Sequence, residues 1–581
     1  MSTPTIEPLA TLPSELKVVL KEGTERCLQK ILGANLTSRF GVESSALADL
    51  RMAIVNKDVK NDATILDDFC RLVPLTQYES YLPFITKLME RPCKLSEVEN
   101  LLAPGLPNFL CSSSTTSGNK PKYIPKYTQF SQDPSVADLS AGAGTTAVVY
   151  SVNSRGLLEV VSDSGEVVHT IPLTVSSAVR WRTTMNWTIE TDESRMMSIV
   201  PGHVAPWATG LITHHRSFLL IHALFMLANR HVEKIHTLYV TVFMDIVNCI
   251  QQDWEILLSS IRDGSIPDID HIDHVRAQMQ AHMHADPQRA EELRHIGPPL
   301  SCSGWAQHTW PMLKTLASIC SGAFSGSLPK ARIVLGPNIT IHNHAYGCTE
   351  GLVCKALNFG DTGAYIVDTE DVFEFLDVAD MQLPCNIVQG WGVQAGRLYQ
   401  PVYTSRNGLW RYLIDDIIEV IGFHPHKGLP VFKYSARKSP GMRLYCFTLT
   451  EADLASVIQA INIKDIIEVQ EFTVVHDQRK CPETVGFFVE IVGDDVGPNA
   501  PLARQKAFGA LVEMNFAVQA HFDAGRVRQP TIRIVKPGTF TEYRRWKVET
   551  QGIDISQVKI PVVMRDQEAL EWMEKRVVRE L

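Results

Sequence analysis

The chain has 581 residues, 45% of them hydrophobic and 20% charged, with a formal net charge of -9. That is an ordinary soluble globular composition, long enough for more than one domain. The negative charge is spread along the sequence, so no basic patch points to nucleic acid.

The first thirty residues read as a polar lead followed by an amphipathic helix, not as a signal peptide. No stretch approaches the roughly eighteen uninterrupted apolar residues of a membrane span. The best run, Phe218 to Ala228, is too short and contains His222. Twelve cysteines are scattered without CxxC pairs, which suits free thiols in a reducing compartment. A cytoplasmic monomer is expected, with neither nucleic acid nor membrane as a partner.

Residues 11–100 place apolar side chains at three- and four-residue spacing with few glycines, and predict helices. Between Phe109 and Pro125 the texture changes to a hydroxyl-rich loop. Residues 145–175 alternate β-branched residues with Gly and Ser turns and predict strands and hairpins. Residues 217–262 predict two long amphipathic helices around a short strand, Leu238 to Phe243. Residues 263–300 are polar, charged and His-rich, and read as a surface excursion. From Ile319 to Ala364, short apolar runs alternate with Gly and Ser turns, as at the strand-to-loop crossings of an α/β sheet. Residues 409–424 predict a strand pair with polar residues at its turn. After Ala436 to Gly441 the pattern restarts as strand, helix, two strands, a helix over 502–522 and a last strand. This order predicts a compact α+β domain of about 140 residues beginning near Lys438.

Three segments carry candidate chemistry. Ser112 to Ser117 are short hydroxyl residues, followed by Gly118, Lys120 and Lys122. Polyphosphate oxygens accept several hydrogen bonds, and lysine supplies a point charge. The Walker spacing is absent, and the same composition also describes a flexible linker. In Tyr346-Gly347-Cys348-Thr349-Glu350 a carboxylate follows a strand end beside a threonine, where it can hold Mg²⁺ near triphosphate oxygens or be an ordinary turn. In Trp410 to Asp416 an acid at a strand turn suits the vicinal diol of a ribose, or is a solvated corner.

In this order and spacing the segments resemble the adenylate-forming superfamily of acyl-CoA synthetases, luciferases and peptide-synthetase adenylation domains. More closely they resemble the auxin-responsive acyl acid–amido synthetase (Gretchen Hagen) family. Ser113 to Lys122 matches the phosphate loop, and Tyr346 to Glu350 meets the YGxTE motif in full. Gly408 to Tyr412 with Gly422-Phe423-His424 is similar to the family's G-L-Y-R-Y…G-F-H block. Lys536 to Phe540 with Gln557 to Pro561 is similar to its K-P-G-T-F…Q-x-K-x-P ending. Trp254 to Gly264 is similar to its W-x-x-L…I-R-x-G helix end. The likeness covers nearly the whole chain.

The resemblance implies an α/β fold with a large adenylate-forming domain over 1–437, containing mixed sheets and a β-barrel-like part, and a small mobile α+β domain over 438–581. It implies ATP and Mg²⁺ as cofactors, and a small carboxylic acid and an amine or amino acid as substrates. Ser113, Thr115, Thr116 and Lys122 would contact ATP phosphates. Tyr346 would stack near adenine, Thr349 would contact phosphates, and Glu350 would bind Mg²⁺. Asp416 would bind the ribose, and Lys559 would meet the nucleotide and acyl oxygens. The hinge would lie at Lys438 or Ser439. Trp207, Phe218, His222, Phe225, Ser321, Phe324 and Tyr365 would border the acyl pocket.

Two departures qualify the match. Ser114 and Ser117 stand where the family often has glycine, in a loop one residue longer before the lysine. Where the family reads Y-R-x-G-D, the chain has Leu413 for the arginine and Asp415 for the glycine. A coenzyme A ligase of the same fold and a nucleotide-binding scaffold without turnover remain alternatives. His271, His274, His282 and His284 read as a solvated loop rather than a metal site. His342 and His344 flank the second motif, one facing the sheet and one the site wall. Cys302, Cys320 and Cys348 show no paired base, and Ser301 to Gly304 reads as a turn.

Overall fold

A computed structural model of the chain describes residues 5–113, 122–127 and 145–581, apart from 60, 61, 63, 154, 155, 186, 344, 368, 369, 439, 440, 445, 446, 494, 516, 552, 553 and 556. Two units are distinguished. The first runs to Ser113 and continues over Lys122–Ser321 and Lys330–Tyr434; the second has Gly322–Pro329 with Ser435–Leu581.

The first unit opens with helices, as its spacing predicts. The longest is Ser14–Asn35, which buries Leu28, Ile31 and Leu32 on one face. In chain order there follow β1 (Cys93–Lys94), β2 (Phe109–Ser112), β3 (Tyr123–Lys126), β4 (Thr145–Val149), β5 (Gly156–Val161) and β6 (Val167–Thr174). All but β4 form a mixed sheet in the order β1-β5-β6-β2-β3. The strand β4 starts a second sheet, continued by β7 (Val232–Tyr239), β8 (Thr315–Ile319) and β9 (Thr340–His342). Every pairing in that sheet is parallel, so the first residues after its strands share one edge. Tyr150, Cys320 and Asn343 stand there, at the carboxyl edge where open α/β sheets receive ligands.

The third sheet holds β10 (Ala345–Gly347), β11 (Leu352–Ala356), β12 (Ala364–Ile366), β13 (Val372–Asp377), β14 (Ile387–Gln389), β15 (Leu398–Thr404), β16 (Tyr412–Leu413), β17 (Asp416–Phe423) and β18 (Pro430–Arg437). Its order is β10-β11-β12-β18-β17-β15-β13-β14, with β16 on β15; the strands from β10 to β18 and from β17 to β14 pair antiparallel with their neighbours. The helical layer and this sheet share one large core, which includes Phe40, Phe69, Tyr81, Trp410 and Tyr412.

The second unit contains a hairpin of β19 (Met442–Leu444) and β20 (Phe447–Leu449), then helix Glu451–Ile461, β21 (Val469–Asp477) and β22 (Thr484–Ile491). Helices Ala503–Met514 and Ala517–Asp523 lead to β23 (Thr531–Val535), and helices Thr539–Gln551 and Gln567–Glu574 to β24 (Val577–Glu580). The sheet order is β21-β22-β23-β24.

The α/β class is borne out, while several local expectations are corrected. The expected strand Leu238 to Phe243 lies across a boundary: β7 ends at Tyr239, and Val240 opens a helix that runs to Gln252. Val240, Phe243, Ile246, Val247 and Ile250 are buried along it, and that helical period outweighs the local β propensity. The excursion over 263–300 contains helices Asp273–Gln280 and Pro287–Ile296, which bury Val275, Met279, Ala290 and Leu293. The strands β16 and β17 both pair with β15 rather than with each other. In the second unit the first expected strand lies in the separate hairpin, and β24 completes the sheet instead. The expected helix over 502–522 breaks after Met514.

Candidate active site

The strands on either side of the hydroxyl segment form an antiparallel pair. β2 and β3 pair through Ser112 and Tyr123. Beyond them the Ser113 amide donates to the Lys122 carbonyl at 2.8 Å, and the Lys122 amide donates to Ser113 Oγ at 2.9 Å. Both predicted phosphate ligands at the base of the loop are thereby fixed. Thr115 and Thr116 lie outside the described residues, as do Ser114, Ser117, Gly118 and Lys120. The Lys122 ammonium stands 5.8 Å from the Tyr78 ring and 5.9 Å from the Tyr412 ring, and donates to Tyr412 Oη at 3.2 Å.

The second motif turns from β10 into β11. The pairing shifts register at Tyr346 and Gly347, and the Cys348 amide bonds the Gly351 carbonyl at 3.0 Å. Thr349 and Glu350 ride on this turn, both partly exposed. The Tyr412 hydroxyl donates to Glu350 Oε1 at 3.0 Å, so one phenol links the Lys122 ammonium to the Glu350 carboxylate. Burial, and then the Glu350 charge, push the Tyr412 pKa far up and keep it a donor. Tyr346 likewise donates its hydroxyl to the Asp416 carboxylate, with its pKa raised by burial and then by that charge. Asp416 opens β17, whereas Asp415 is exposed at the turn before it.

Sequence reasoning gave no role to three residues that shape this geometry. Lys126 is 1% exposed, and its ammonium donates to the Glu350 carbonyl at 2.5 Å. The alternation Lys122, Ile124, Lys126 was the available signal, since alternate residues share a strand face. Arg411 and Glu374 form a pair with both side chains 0% exposed. The contact is bidentate, at 2.9 and 2.7 Å, and Arg411 Nη1 also donates to the carbonyls of Cys70 and Val73, each at 2.8 Å. Arg411 has φ +40°, a left-handed conformation costly for a side chain of this size. The pair holds that strained residue immediately before Tyr412.

The acyl-pocket residues fall into separate groups. Trp207, Phe218, His222 and Phe225 are buried; the Trp207 and His222 rings lie 5.6 and 6.3 Å from Tyr150. Ser321 Oγ accepts from Tyr365 Oη at 2.8 Å and from Asn343 Nδ2 at 3.2 Å. Phe324 belongs to the second unit, where the partly exposed Lys559 holds its ammonium 5.4 Å from the Phe324 ring.

The histidines of the 263–300 region make separate contacts. His274 is 3.3 Å from the Leu211 carbonyl, His282 is 2.6 Å from that of Met197, and His271 packs on the His214 ring at 4.5 Å. His284 is exposed. His342 Nδ1 accepts from the Gly360 amide at 3.2 Å, and burial lowers its pKa to about 4; His344 lies outside the described residues. Burial raises the Cys320 thiol to about 12 and Cys348 well above its ordinary value, which keeps both protonated and poorly nucleophilic.

Among the described residues no group of three or more His, Cys, Asp and Glu side chains could hold a metal alone. Glu350 nonetheless fits Mg²⁺, which takes one or two carboxylates and completes its shell with water and substrate phosphates. The residues suit a nucleotide too: an ammonium and a carboxylate share one phenol, and a second carboxylate stands by a buried tyrosine.

This fold is that of the adenylate-forming ligases. A 2-hydroxyisobutyryl-CoA ligase solved in the postadenylation state aligns with TM-score 0.50 at 10% identity, over 97% of this chain and 93% of its own. A GH3.15 acyl acid amido synthetase aligns with TM-score 0.76 at 20% identity, over 100% of this chain and 98% of its own. The GH3 family N-terminal, central and C-terminal domains match residues 20–337, 364–437 and 452–568 in turn, and the chain belongs to that family. A relative from Oryza sativa subsp. japonica, a probable indole-3-acetic acid-amido synthetase GH3.9, is 26% identical over 61% of this chain and 83% of its own length.

Proposed function

We propose that this enzyme activates a small carboxylic acid with ATP as the acyl-adenylate, releasing pyrophosphate, and then passes the acyl group to the amine of an amino acid, releasing AMP. The reaction class follows from family membership: the chain is a ligase that forms a carbon–nitrogen bond through an adenylate. The observation that carries the site assignment is the hydrogen-bonded run Lys122–Tyr412–Glu350, with Tyr346–Asp416 beside it.

A carboxylate resists nucleophiles because its own charge repels them. Transfer to AMP removes that charge and creates a leaving group, so catalysis is a matter of positioning and of stabilising charge at the α-phosphate. In this reading Ser113, Thr115, Thr116 and Lys122 hold phosphate oxygens, and Thr349 adds a hydroxyl. Tyr346 stacks near the adenine, and Asp416 accepts from the ribose hydroxyls. Glu350 is the Mg²⁺ ligand, and the ion, when bound, offsets phosphate charge. Lys559 brings an ammonium to the reacting oxygens during adenylation and leaves with the small domain, by rotation near Lys438, before the amine attacks. Trp207, Phe218, His222, Phe225, Ser321, Phe324 and Tyr365 border the acid. The enzyme acts as a cytoplasmic monomer, a location in keeping with its free thiols.

A pyrophosphate-release screen over aromatic and aliphatic acids tests the first step. Mass spectrometry with mixed amino acids, and separately with coenzyme A, then reads the acceptor. An amide product is expected; a thioester as the main product would identify a coenzyme A ligase. Tight ATP binding with no acid-dependent exchange would identify a non-catalytic scaffold.

A further inference from the structure

At the carboxyl edge of the parallel sheet stands an aromatic cluster that includes Tyr150 and His222, each of which buries a polar side-chain atom unmatched among the described residues. Tyr150 follows β4 directly; its ring stacks on Trp181 at 5.2 Å and lies 5.6 Å from Trp207 and 6.3 Å from His222. Phe218, one helical turn before His222, packs edge-on against the imidazole at 4.4 Å. Tyr150 is 4% and His222 1% exposed. Yet Tyr150 Oη and His222 Nε2 have no hydrogen-bond partner among the described residues. Burying a polar atom forfeits its hydration, and folded chains seldom leave such an atom without a partner.

The protonation states define what would match them. The His222 ring already bonds the Tyr150 main chain. With Nε2 unmatched, that bond belongs to Nδ1. Burial lowers the His222 pKa to about 3, so the ring is neutral, Nδ1 carries the proton and Nε2 offers a lone pair. Burial also raises the Tyr150 pKa, which leaves its hydroxyl able to donate. An acceptor on one ring and a donor on the other, with the rings 6.3 Å apart, suit a hydroxyl, which can give its proton to Nε2 and accept from Tyr150.

We propose that Tyr150 and His222 are specificity residues that select carboxylic acids with a hydroxyl on an aromatic body, remote from the carboxylate. This rests on the adenylation reading given above. The edge that carries Tyr150 also carries Ser321 and Asn343, both bonded to Tyr365. The Tyr365 ring lies 5.9 Å from that of Tyr346, the partner of Asp416. An acid lying along this edge has its carboxylate toward Tyr346 and its hydroxyl toward Tyr150, among the buried rings of Trp181, Trp207 and Phe218.

The test compares phenylacetate with its meta- and para-hydroxy derivatives on the full chain, by calorimetry without ATP and by acid-dependent pyrophosphate exchange. A site built to bond a hydroxyl discriminates strongly against the analogue that lacks it, so at least one hydroxy acid should be preferred by about 10²-fold or more. Tyr150→Phe, which removes a single oxygen, and His222→Leu should each bring that ratio below about tenfold. A wild-type ratio near one at both ring positions overturns the proposal, as does a ratio that neither variant changes. If no acid supports exchange, the adenylation reading fails while the calorimetric preference still decides this inference.

Discussion

Replacing Glu374 by alanine tests how the turn that presents Tyr412 is held. The Glu374 carboxylate takes two bonds from Arg411, at 2.9 and 2.7 Å, and both side chains are 0% exposed. The variant leaves a buried guanidinium with only its carbonyl partners at Cys70 and Val73. Removing one member of such a pair costs about 3–5 kcal/mol, read as a lower urea midpoint. Replacing both members, Glu374→Leu with Arg411→Met, removes the uncompensated charge, and stability should recover in part, since the Cys70 and Val73 carbonyls still lose their donor. Activity should not return with it. Residue 411 sits at φ +40°, a conformation that costs about 1–2 kcal/mol for a non-glycine residue. Without the ion pair that residue relaxes, and the Tyr412 hydroxyl leaves its place 3.0 Å from Glu350. Misplacement by about 1 Å costs on the order of 10² in rate, so pyrophosphate exchange should fall by that factor in a stable protein. A double variant with parental exchange would refute the positioning role. A single variant that loses less than about 1 kcal/mol would refute the energetic one.

The other expectations follow from the same geometry. Glu350→Gln should preserve the fold and lower acid-dependent pyrophosphate exchange by about 10²–10³; a folded variant with an unchanged rate removes Glu350 from the site. Asp416→Ala should raise the KM for ATP by about 10- to 100-fold, because the diol contact exists in ground and transition states alike, while Asp415→Ala should do little; the reverse outcome means the motif is read one residue out of register. Lys559→Ala should suppress pyrophosphate exchange yet spare amide formation from acyl-AMP supplied ready-made, and equal loss of both would remove the domain rotation with it. His222 is held neutral by burial, its pKa lowered from 6.5 to about 3, so the unfolded chain binds the extra proton and stability should drop as pH falls from 6.5 towards 3; His222→Leu should flatten that slope in urea midpoints taken across the window.

What the sequence disclosed was mostly local. The helix end at Trp254 to Gly264 was legible because part of its cause is in the segment: Gly264 has φ +66° at the C-cap, where glycine is the cheapest residue, although a Cβ there would also lie 2.2 Å from the Ala285 amide nitrogen. The block beginning at Gly408 was legible as a motif but not in its reason, which is tertiary. Gly408 has φ +88°, and a Cβ there would lie 2.1 Å from the Leu102 carbonyl oxygen. Glu374 and Arg411, or Lys126 and Glu350, are far apart in the chain, and spacing alone does not pair them. The start of the helix after β7 was misread because Val240 and Val242 favour strand locally. The burial period that overrules them becomes plain only from the full run to Ile250. The terminal strand β24 is four residues long, with one partly exposed and three exposed, so it carried no alternating pattern to detect.

The departures in the third motif were the ground for considering an inactive scaffold, and their placement removes much of its force. Strand alternation puts Leu413 on the face opposite Tyr412. Leu413 is 5% exposed there, clustered with Leu376 and Val402, while Tyr412 reaches Glu350 and Lys122 on the other side. A side chain at 413 is therefore turned away from the candidate catalytic carboxylate, and its change to leucine removes no cation from that carboxylate's side. Asp415 replaces a glycine, a change that is costly only where the backbone needs a positive φ. In this turn the positive φ belongs to Arg411, where Glu374 holds it. The chain has thus changed the route of the turn while keeping the groups it delivers: a phenol on Glu350 and a carboxylate on Tyr346.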